Sequence, residues 1–208
     1  MPAFNYEEFP INKLKSDQVV HLARTLIGCV LATRTASGFC AGIITETEAY
    51  AGITDRASHA YGGRKTERTR VMYEEAGRVY VYLCYGLHYL FNIVTAEEGN
   101  PHAILIRGIY PIEGLEIMEN RRKMKFNLKN FSYGPATVSQ AFGINKTQNN
   151  GLLNQSEIFL FNPVAAIPKN EISDSPRIGV DYAKEDALLP WRFNADLNRL
   201  HNRYISGK

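Results

Sequence analysis

The stretch F-C-A-G-I-I-T-E-T-E-A-Y, residues 39–50, says most about how this chain folds. Its β-branched and aromatic residues predict a strand. A second predicted strand, 29–35, precedes it, and the A-S-G run at 36–38 supplies the turn of a hairpin. Because side chains alternate along a strand, one face is expected to carry an isoleucine, two carboxylates and a phenol: Ile44, Glu46, Glu48, Tyr50.

The flanking sequence predicts more strands than helices. Further strands are expected at 79–84, 89–95, 103–109, 157–161, 177–181 and 191–194. Helices are expected from Asp17 to about Ile27 after a Ser16 cap, from Pro111 to about Lys123, and from Pro135 to Gly143. We therefore expect an α+β fold in one compact domain, 1–208, with a mixed, mainly antiparallel curved β-sheet, surrounding helices and a protruding β-hairpin.

Composition places the chain among ordinary globular proteins. It has 208 residues, of which 45% are hydrophobic and 22% charged, and its mean hydropathy is −0.26. It has neither an apolar run of about 18 residues nor the basic start of a signal peptide. The three cysteines form no C-x-x-C pair, and the histidines are scattered. We expect a cytoplasmic protein that uses no membrane, metal or cofactor.

Basic residues form two clusters, and tyrosines are concentrated in one part of the chain. Net charge is only +3, but the long loop at 51–70 ends in a basic cluster: Arg64, Lys65, Arg68, Arg70. A second cluster lies at 121–129. Either could be a solvated face or a contact to phosphates. Seven tyrosines fall between 50 and 89, which suits stacking on bases between phosphate contacts.

The two glutamates at the end of the 39–50 strand have three interpretations. They can mark the outward face of a surface strand. One of them can act as a general base in a tyrosine-lined pocket. Paired-carboxylate glycoside chemistry is a third option, although neighbours on one strand point side by side, which is poor geometry for flanking a bond.

Four other polar or aromatic residues stand out. Asn92, at a core-facing position, is expected to be an amide bonded to a nearby turn, and Arg107 is either a strand-end charge that reaches solvent or a guanidinium that fixes a carboxylate. His59 is expected to be a hydrogen-bonded loop residue rather than a metal ligand. Tyr85 stands beside Gly86 at a predicted hairpin tip, where small polar residues are favoured, so it is expected to make contacts outside the fold.

In order along the chain, these motifs resemble the alkyladenine (3-methyladenine) DNA glycosylases. The resemblance rests on E-T-E-A-Y (46–50), Asp55, His59, G-G-R (62–64), T-x-R (66–68), Y-V-Y-L-C-Y-G (80–86), Asn92 and L-I-R (105–107). Later segments extend it: S-x-G-P-A (132–136), I-N-K (144–146), R-I-G-V (177–180) and P-W-R-F (190–193). It begins near the first predicted helix and covers most of the chain.

The resemblance implies a monofunctional enzyme that hydrolyses the N-glycosidic bond of alkylated or deaminated purines in duplex DNA. Glu48 would be the general base, and Arg107 would position the attacking water and that carboxylate. The pocket for the flipped base would be formed by Tyr50, His59, Tyr82 and Asn92.

Asn92 would also guard against normal guanine. The wedge inserted into the duplex would be Tyr85, with Leu87 and His88 beside it in place of the Met-Tyr type of residues expected in vertebrate members. Phosphate contacts are expected from Arg64, Lys65, Arg68 and Arg70. We expect a monomer whose partner is double-stranded DNA with damaged purines.

Two other classes of function compete with this one. A binding module could use the basic loops and tyrosines without catalysis, but a carboxylate facing the polyanion would then repel phosphate. A nucleoside hydrolase would need neither an exposed Tyr85 nor basic clusters.

Overall fold

The computed structural model describes residues 5–164 and 167–206. Its strands are β1 Val30–Thr35, β2 Gly38–Tyr50, β3 Val79–Cys84, β4 His88–Thr95, β5 His102–Glu113, β6 Ile158–Phe161, β7 Ile172–Ser175 and β8 Arg192–Ala195. They form one open sheet in the order β3-β4-β5-β2-β1-β6, with β8 paired to β2 and β7 to β8, and these pairs are antiparallel. The α+β class and the antiparallel sheet are confirmed.

Strand β2 is the centre of the sheet. One edge pairs with β5, while the other pairs with β1 in its first half and with β8 near Thr47. Its register against β5 shifts on both sides of Glu46, which lies opposite Gly108. A Cβ at Gly108 would come within 2.9 Å of Glu46 Cβ, so only glycine permits this close approach. Glu46 and Glu48, two residues apart beside this irregularity, both reach Arg107.

Four α-helices lie against the sheet in the described part of the chain. They are α1 Val19–Thr25, α2 Leu115–Arg122, α3 Pro135–Phe142 and α4 Leu197–Ser206. Helix α1 is tied to β2 because the buried Thr47 hydroxyl donates to the Ala23 carbonyl over 2.7 Å. Helix α3 begins at the predicted Pro135 and ends at Gly143, whose φ of +70° suits a glycine. None of the described helices is long and apolar enough to cross a membrane.

Three predicted elements are wrong in extent or kind. The helix predicted from Pro111 begins only at Leu115, because β5 continues through Pro111 to Glu113. Proline is tolerated there because the pairing with β2 shifts register at this point. Residues 177–181 are not a strand; three of them, Ile178, Gly179 and Val180, line the site described below. Helix α1 is also shorter than the predicted 17–27, although Ser16 Oγ does accept a bond from the Gln18 amide.

Candidate active site

The main cavity opens beside the ends of β2, β3, β4 and β5 and has a volume of about 540 Å³. That size is ordinary for a site that binds a small molecule or a single base. The loop at 51–70, the segment 178–182 and the start of α3 complete its walls. All six residues predicted for catalysis or for the pocket line it: Glu48, Tyr50, His59, Tyr82, Asn92, Arg107.

Glu48 is the most constrained of these residues. Its side chain is 0% exposed to solvent although it borders the cavity. One carboxylate oxygen accepts the Ile178 amide over 2.9 Å and lies 3.4 Å from Arg107 Nε. The other accepts the Tyr50 hydroxyl over 2.8 Å. A buried carboxylate is costly unless it is bonded in this way, so Glu48 is fixed in a single orientation.

Burial dominates the proton affinity of Glu48. The pKa of this carboxyl is raised above its ordinary value by burial, against the opposing effects of Arg107, the Ile178 amide and the Tyr50 hydroxyl. A carboxylate with a raised pKa is a stronger base than one in water, provided the pH is high enough to ionise it. The interpretation of Glu48 as a solvent-facing strand residue is therefore wrong.

Glu46 forms an ion pair with Arg107. Its Oε1 atom accepts Arg107 Nε over 2.9 Å and Arg192 Nη1 over 3.0 Å. The three side chains are largely buried, so their charges are weakly screened. Arg107 thus bridges both glutamates, and its interpretation as a solvent-reaching strand-end charge is wrong.

Aromatic rings build the opposite wall of the cavity. His59 meets Tyr82 edge to face, with ring centroids 4.7 Å apart, and Tyr80 lies 5.3 Å from Tyr82. The Arg68 guanidinium lies 4.8 Å from the Tyr82 ring centroid. Tyr50 has the Arg177 guanidinium 4.9 Å from its ring centroid. Each of the two predicted stacking tyrosines therefore already has an arginine against it.

His59 is held as a neutral imidazole. Burial, followed by the charges of Arg68 and Arg64, lowers its pKa to about 4. Its Nε2 lies 3.3 Å from Arg68 Nη2, and a guanidinium can only donate, so Nε2 accepts. The proton of the neutral ring is then on Nδ1, which donates to the Tyr80 hydroxyl over 2.9 Å. His59 is a bonded loop residue and a pocket residue at once.

Asn92 is a buried core amide, as expected. It is 4% exposed, and its Nδ2 donates to the Tyr80 carbonyl across the β3–β4 pair over 3.1 Å. It lines the cavity as well. The bond to the backbone fixes which way the amide points.

The hairpin tip carries an aromatic residue in an unfavourable backbone position. Tyr85 is 91% exposed, and Leu87 is 76% exposed. Tyr85 and Gly86 both have positive φ, and the Leu87 amide bonds the Cys84 carbonyl, which gives a type I′ turn. Such turns favour asparagine and glycine, so local structure does not account for a tyrosine here. Tyr85 and His88 border the cavity at this tip.

The first basic cluster is exposed near the cavity, but its members are not equivalent. Arg64 and Lys65 are exposed, and Arg70 lies 3.4 Å from the exposed Glu67. Arg68 lines the cavity, where it contacts His59 and Tyr82. Its expected role as a phosphate contact remains a prediction.

The two arginines of the second basic cluster are built into the fold. Arg121 donates to Thr35 Oγ1 and to the Ala141 carbonyl, and Arg122 donates to the Phe131 carbonyl. These contacts join the end of α2 to β1, to α3 and to the loop between the two helices. The three lysines of the cluster, Lys123, Lys125 and Lys129, are exposed, and Lys125 pairs with Glu119 over 2.8 Å.

Several site residues escaped the sequence reasoning. Tyr80 lines the cavity, and the period-two spacing with Tyr82 could have revealed it. Tyr182 also lines it and donates from its hydroxyl to the Ala57 carbonyl. The buried pair of Asp55 and Arg177 lies behind the wall. These two residues are 122 positions apart, so no local sequence pattern could show that they form an ion pair. Within the described ranges, no group of three or more histidine, cysteine or acidic side chains could hold a metal ion.

Comparison with known proteins agrees with this geometry. The sequence model of the methylpurine-DNA glycosylase family matches residues 13–199. A Chlamydia abortus protein whose name describes a 3-methyladenine DNA glycosylase is 44% identical over 179 residues, covering 86% of this chain and 93% of its own. A protein of the same name from Clostridium acetobutylicum is 40% identical over 190 residues, which cover 88% of this chain and 92% of the relative. Another, from Bacillus velezensis, is 39% identical over 187 residues, which cover 90% of this chain and 91% of the relative.

A buried carboxylate beside an aromatic cavity, on a chain with these similarities, defines a DNA N-glycosylase, an enzyme of DNA repair. The chain belongs to the methylpurine-DNA glycosylase family. Its substrate is therefore DNA.

Proposed function

We propose that this protein, acting as a monomer, extrudes alkylated or deaminated purines from duplex DNA and hydrolyses their N-glycosidic bond. The observation that carries the proposal is the fully buried Glu48 carboxylate at the wall of a cavity lined by tyrosines. A base inside a duplex cannot reach such a cavity, so the nucleotide must leave the stack first. Damaged bases pair and stack less well, which lowers the cost of extrusion.

The geometry around Glu48 suits activation of a water molecule. Ionised Glu48 takes a proton from water as the water oxygen attacks C1′, while the C1′–N bond breaks and its electron pair leaves with the base; the carboxylate charge stabilises the oxocarbenium character that develops at C1′. Arg107 holds the carboxylate in place. Its positive charge lowers the pKa of Glu48, which favours the ionised form and opposes the effect of burial. No lysine is among the described residues that line the cavity, so hydrolysis without a Schiff-base step is the reaction we propose.

The discriminating experiment compares three substrates. Free base should be released from a duplex with one alkylated purine, and much more slowly from an undamaged duplex or from the free nucleoside. Binding to all duplexes without release of base would favour a pure binding module. Equal rates on the duplex and on the free nucleoside would favour a nucleoside hydrolase.

Asn92 is proposed to exclude guanine through contact with its 2-amino group. Asn92→Ser and Asn92→Ala enlarge the cavity beside the Tyr80 carbonyl that Asn92 now bonds. Excision of guanine-type bases should therefore rise relative to hypoxanthine, by about 10-fold if one poor polar contact of roughly 1.4 kcal/mol is relieved. The readout is the ratio of the two rates, since a loss of stability lowers both. An unchanged ratio would leave Asn92 as a core amide only.

Tyr85 is proposed to fill the gap that the extruded nucleotide leaves. Because its ring is almost fully exposed, Tyr85→Ala should change the free energy of unfolding by no more than about 0.5 kcal/mol. Binding to a lesion duplex should weaken about tenfold, since stacking on a base contributes roughly 1–3 kcal/mol. Leu188→Ala is the matched control for lost apolar surface, because Leu188 is 76% exposed but lies outside the β3–β4 hairpin. Normal binding of the lesion duplex by Tyr85→Ala would refute this role and leave Leu87 or His88 as the wedge.

A further inference from the structure

Asp55 and Arg177 form a buried ion pair next to the cavity. Arg177 Nη1 lies 2.5 Å from Asp55 Oδ2, Nη2 lies 2.8 Å from Oδ1, and both side chains are 0% exposed. The bidentate geometry requires a planar guanidinium, which lysine cannot imitate. A buried ion pair generally adds little stability compared with apolar residues of the same size. Stability alone therefore does not explain this pair, so the groups that it positions matter.

The pair joins three segments of the site. Asp55 accepts the amides of Ala51 and Ala57 over 3.1 and 2.9 Å, which shapes the loop that follows β2. Arg177 donates to the Ala49 carbonyl over 2.8 Å and to the Asp186 carbonyl over 3.1 Å. The end of β2, the loop at 51–57 and the segment 177–186 are thereby held together.

These contacts bear directly on the two groups nearest the reaction. Ala49 stands between Glu48 and Tyr50, so the bond to its carbonyl fixes the backbone that carries both. The guanidinium lies between the Tyr50 and Trp191 rings, 4.9 and 5.1 Å from their centroids. The next residue, Ile178, donates its amide to Glu48 over 2.9 Å.

We propose that Arg177, held by Asp55, is a positioning residue for hydrolysis, which aims the Ile178 amide at Glu48 and supports the Tyr50 ring from behind. This inference rests on the proposed function and adds residues to it. Arg177 acts through its neighbours and touches no reacting atom. An error of about 1 Å in the position of a catalytic group can cost on the order of 10²-fold in rate, so loosening this pair should be visible in the chemical step.

The test measures single-turnover release of base with enzyme in saturating excess over a duplex carrying one alkylated purine. Arg177→Lys and Asp55→Asn should each lower the rate constant about tenfold, while the Kd for the duplex changes less than about threefold. The rising limb of the pH–rate profile should also move to higher pH, because Glu48 loses a bond that favours its ionised form. The charged and titratable groups that face Glu48 are Tyr50, Glu46, Arg107, Arg177 and Tyr182.

A purely structural pair gives a different result. Loss of folded protein lowers the active fraction, but at saturating enzyme it changes neither the rate constant nor the pH profile. Variants that melt early but keep the wild-type rate constant and pH profile would overturn the proposal. Arg121→Lys is the matched control, because this arginine also bonds a carbonyl but lies against β1 and α3. Asp55→Asn, nearly identical in shape, carries the test if Arg177→Lys does not fold. Wild-type protein that releases no base would refute the proposed function instead.

Discussion

Glu48→Gln should reduce base release by about 10²-fold or more, the usual scale for the loss of a positioned general base. Glutamine keeps the shape of the side chain: its amide oxygen can still accept the Ile178 amide, and its NH2 group can donate to the Tyr50 hydroxyl oxygen, which reverses the bond that Glu48 accepts. It cannot accept a proton from water at neutral pH. The measurement is the single-turnover rate on a duplex with one alkylated purine, together with the Kd for that duplex, which should stay close to wild type.

Glu46→Gln is the matched control for this variant. Glu46 shares the strand and the Arg107 partner, but it does not carry the bonds to Ile178 and Tyr50 that hold Glu48 at the cavity. It should keep substantial activity. Near-normal turnover by Glu48→Gln, or equal losses in both variants, would contradict the assignment of Glu48 as the base.

Local sequence patterns predicted the middle of this fold well. The strand at 79–84 has the predicted bounds, and α3 begins at Pro135 and stops before Gly143 as its turn chemistry indicates. Failures occur where tertiary contacts override local preference. Pro111 belongs to a strand because a shift of register accommodates it. Residues 177–181 are irregular because Arg177 and the Ile178 amide bond to β2 and the loop after it, and Gly179 has a φ of +75°.

In the candidate site too, some features could be predicted from the sequence and others depend on tertiary contacts. The resemblance of ordered motifs placed six residues that do line one cavity, and Tyr85 at the exposed tip. Their catalytic and binding roles remain predictions. Spacing along the chain could not show that Arg107 bridges both glutamates, because this depends on the irregular register of β2 beside Gly108. The same applies to the basic segment 121–129, whose arginines bond carbonyls that only the folded chain brings near.

Arg107→Met should lower the rate at neutral pH by about 10²-fold and move the rising limb of the pH–rate profile to higher pH. An opposite charge at this distance typically lowers a carboxyl pKa by about 1–3, and below that pKa the ionised fraction falls tenfold per pH unit. Removal of Arg107 leaves Glu48 buried with Glu46 as its acidic neighbour, and both effects raise its already elevated pKa. His59, with a pKa of about 4, stays largely neutral above about pH 5, so its titration does not mask the change.

The direction of the pH effect separates this explanation from general damage to the site. Because Glu48 acts in its ionised form, raising the pH should restore part of the activity of Arg107→Met, measured by single-turnover release from about pH 5 to about pH 9. Arg107→Lys keeps the charge and should lose less. Arg192→Met is the matched control, since Arg192 pairs with Glu46 over 3.0 Å and contacts that carboxylate on the side of β8. If the three variants show the same loss at every pH, Arg107 stabilises the fold without setting the proton affinity of Glu48, and the base must owe its ionisation to the Ile178 amide and the Tyr50 hydroxyl instead.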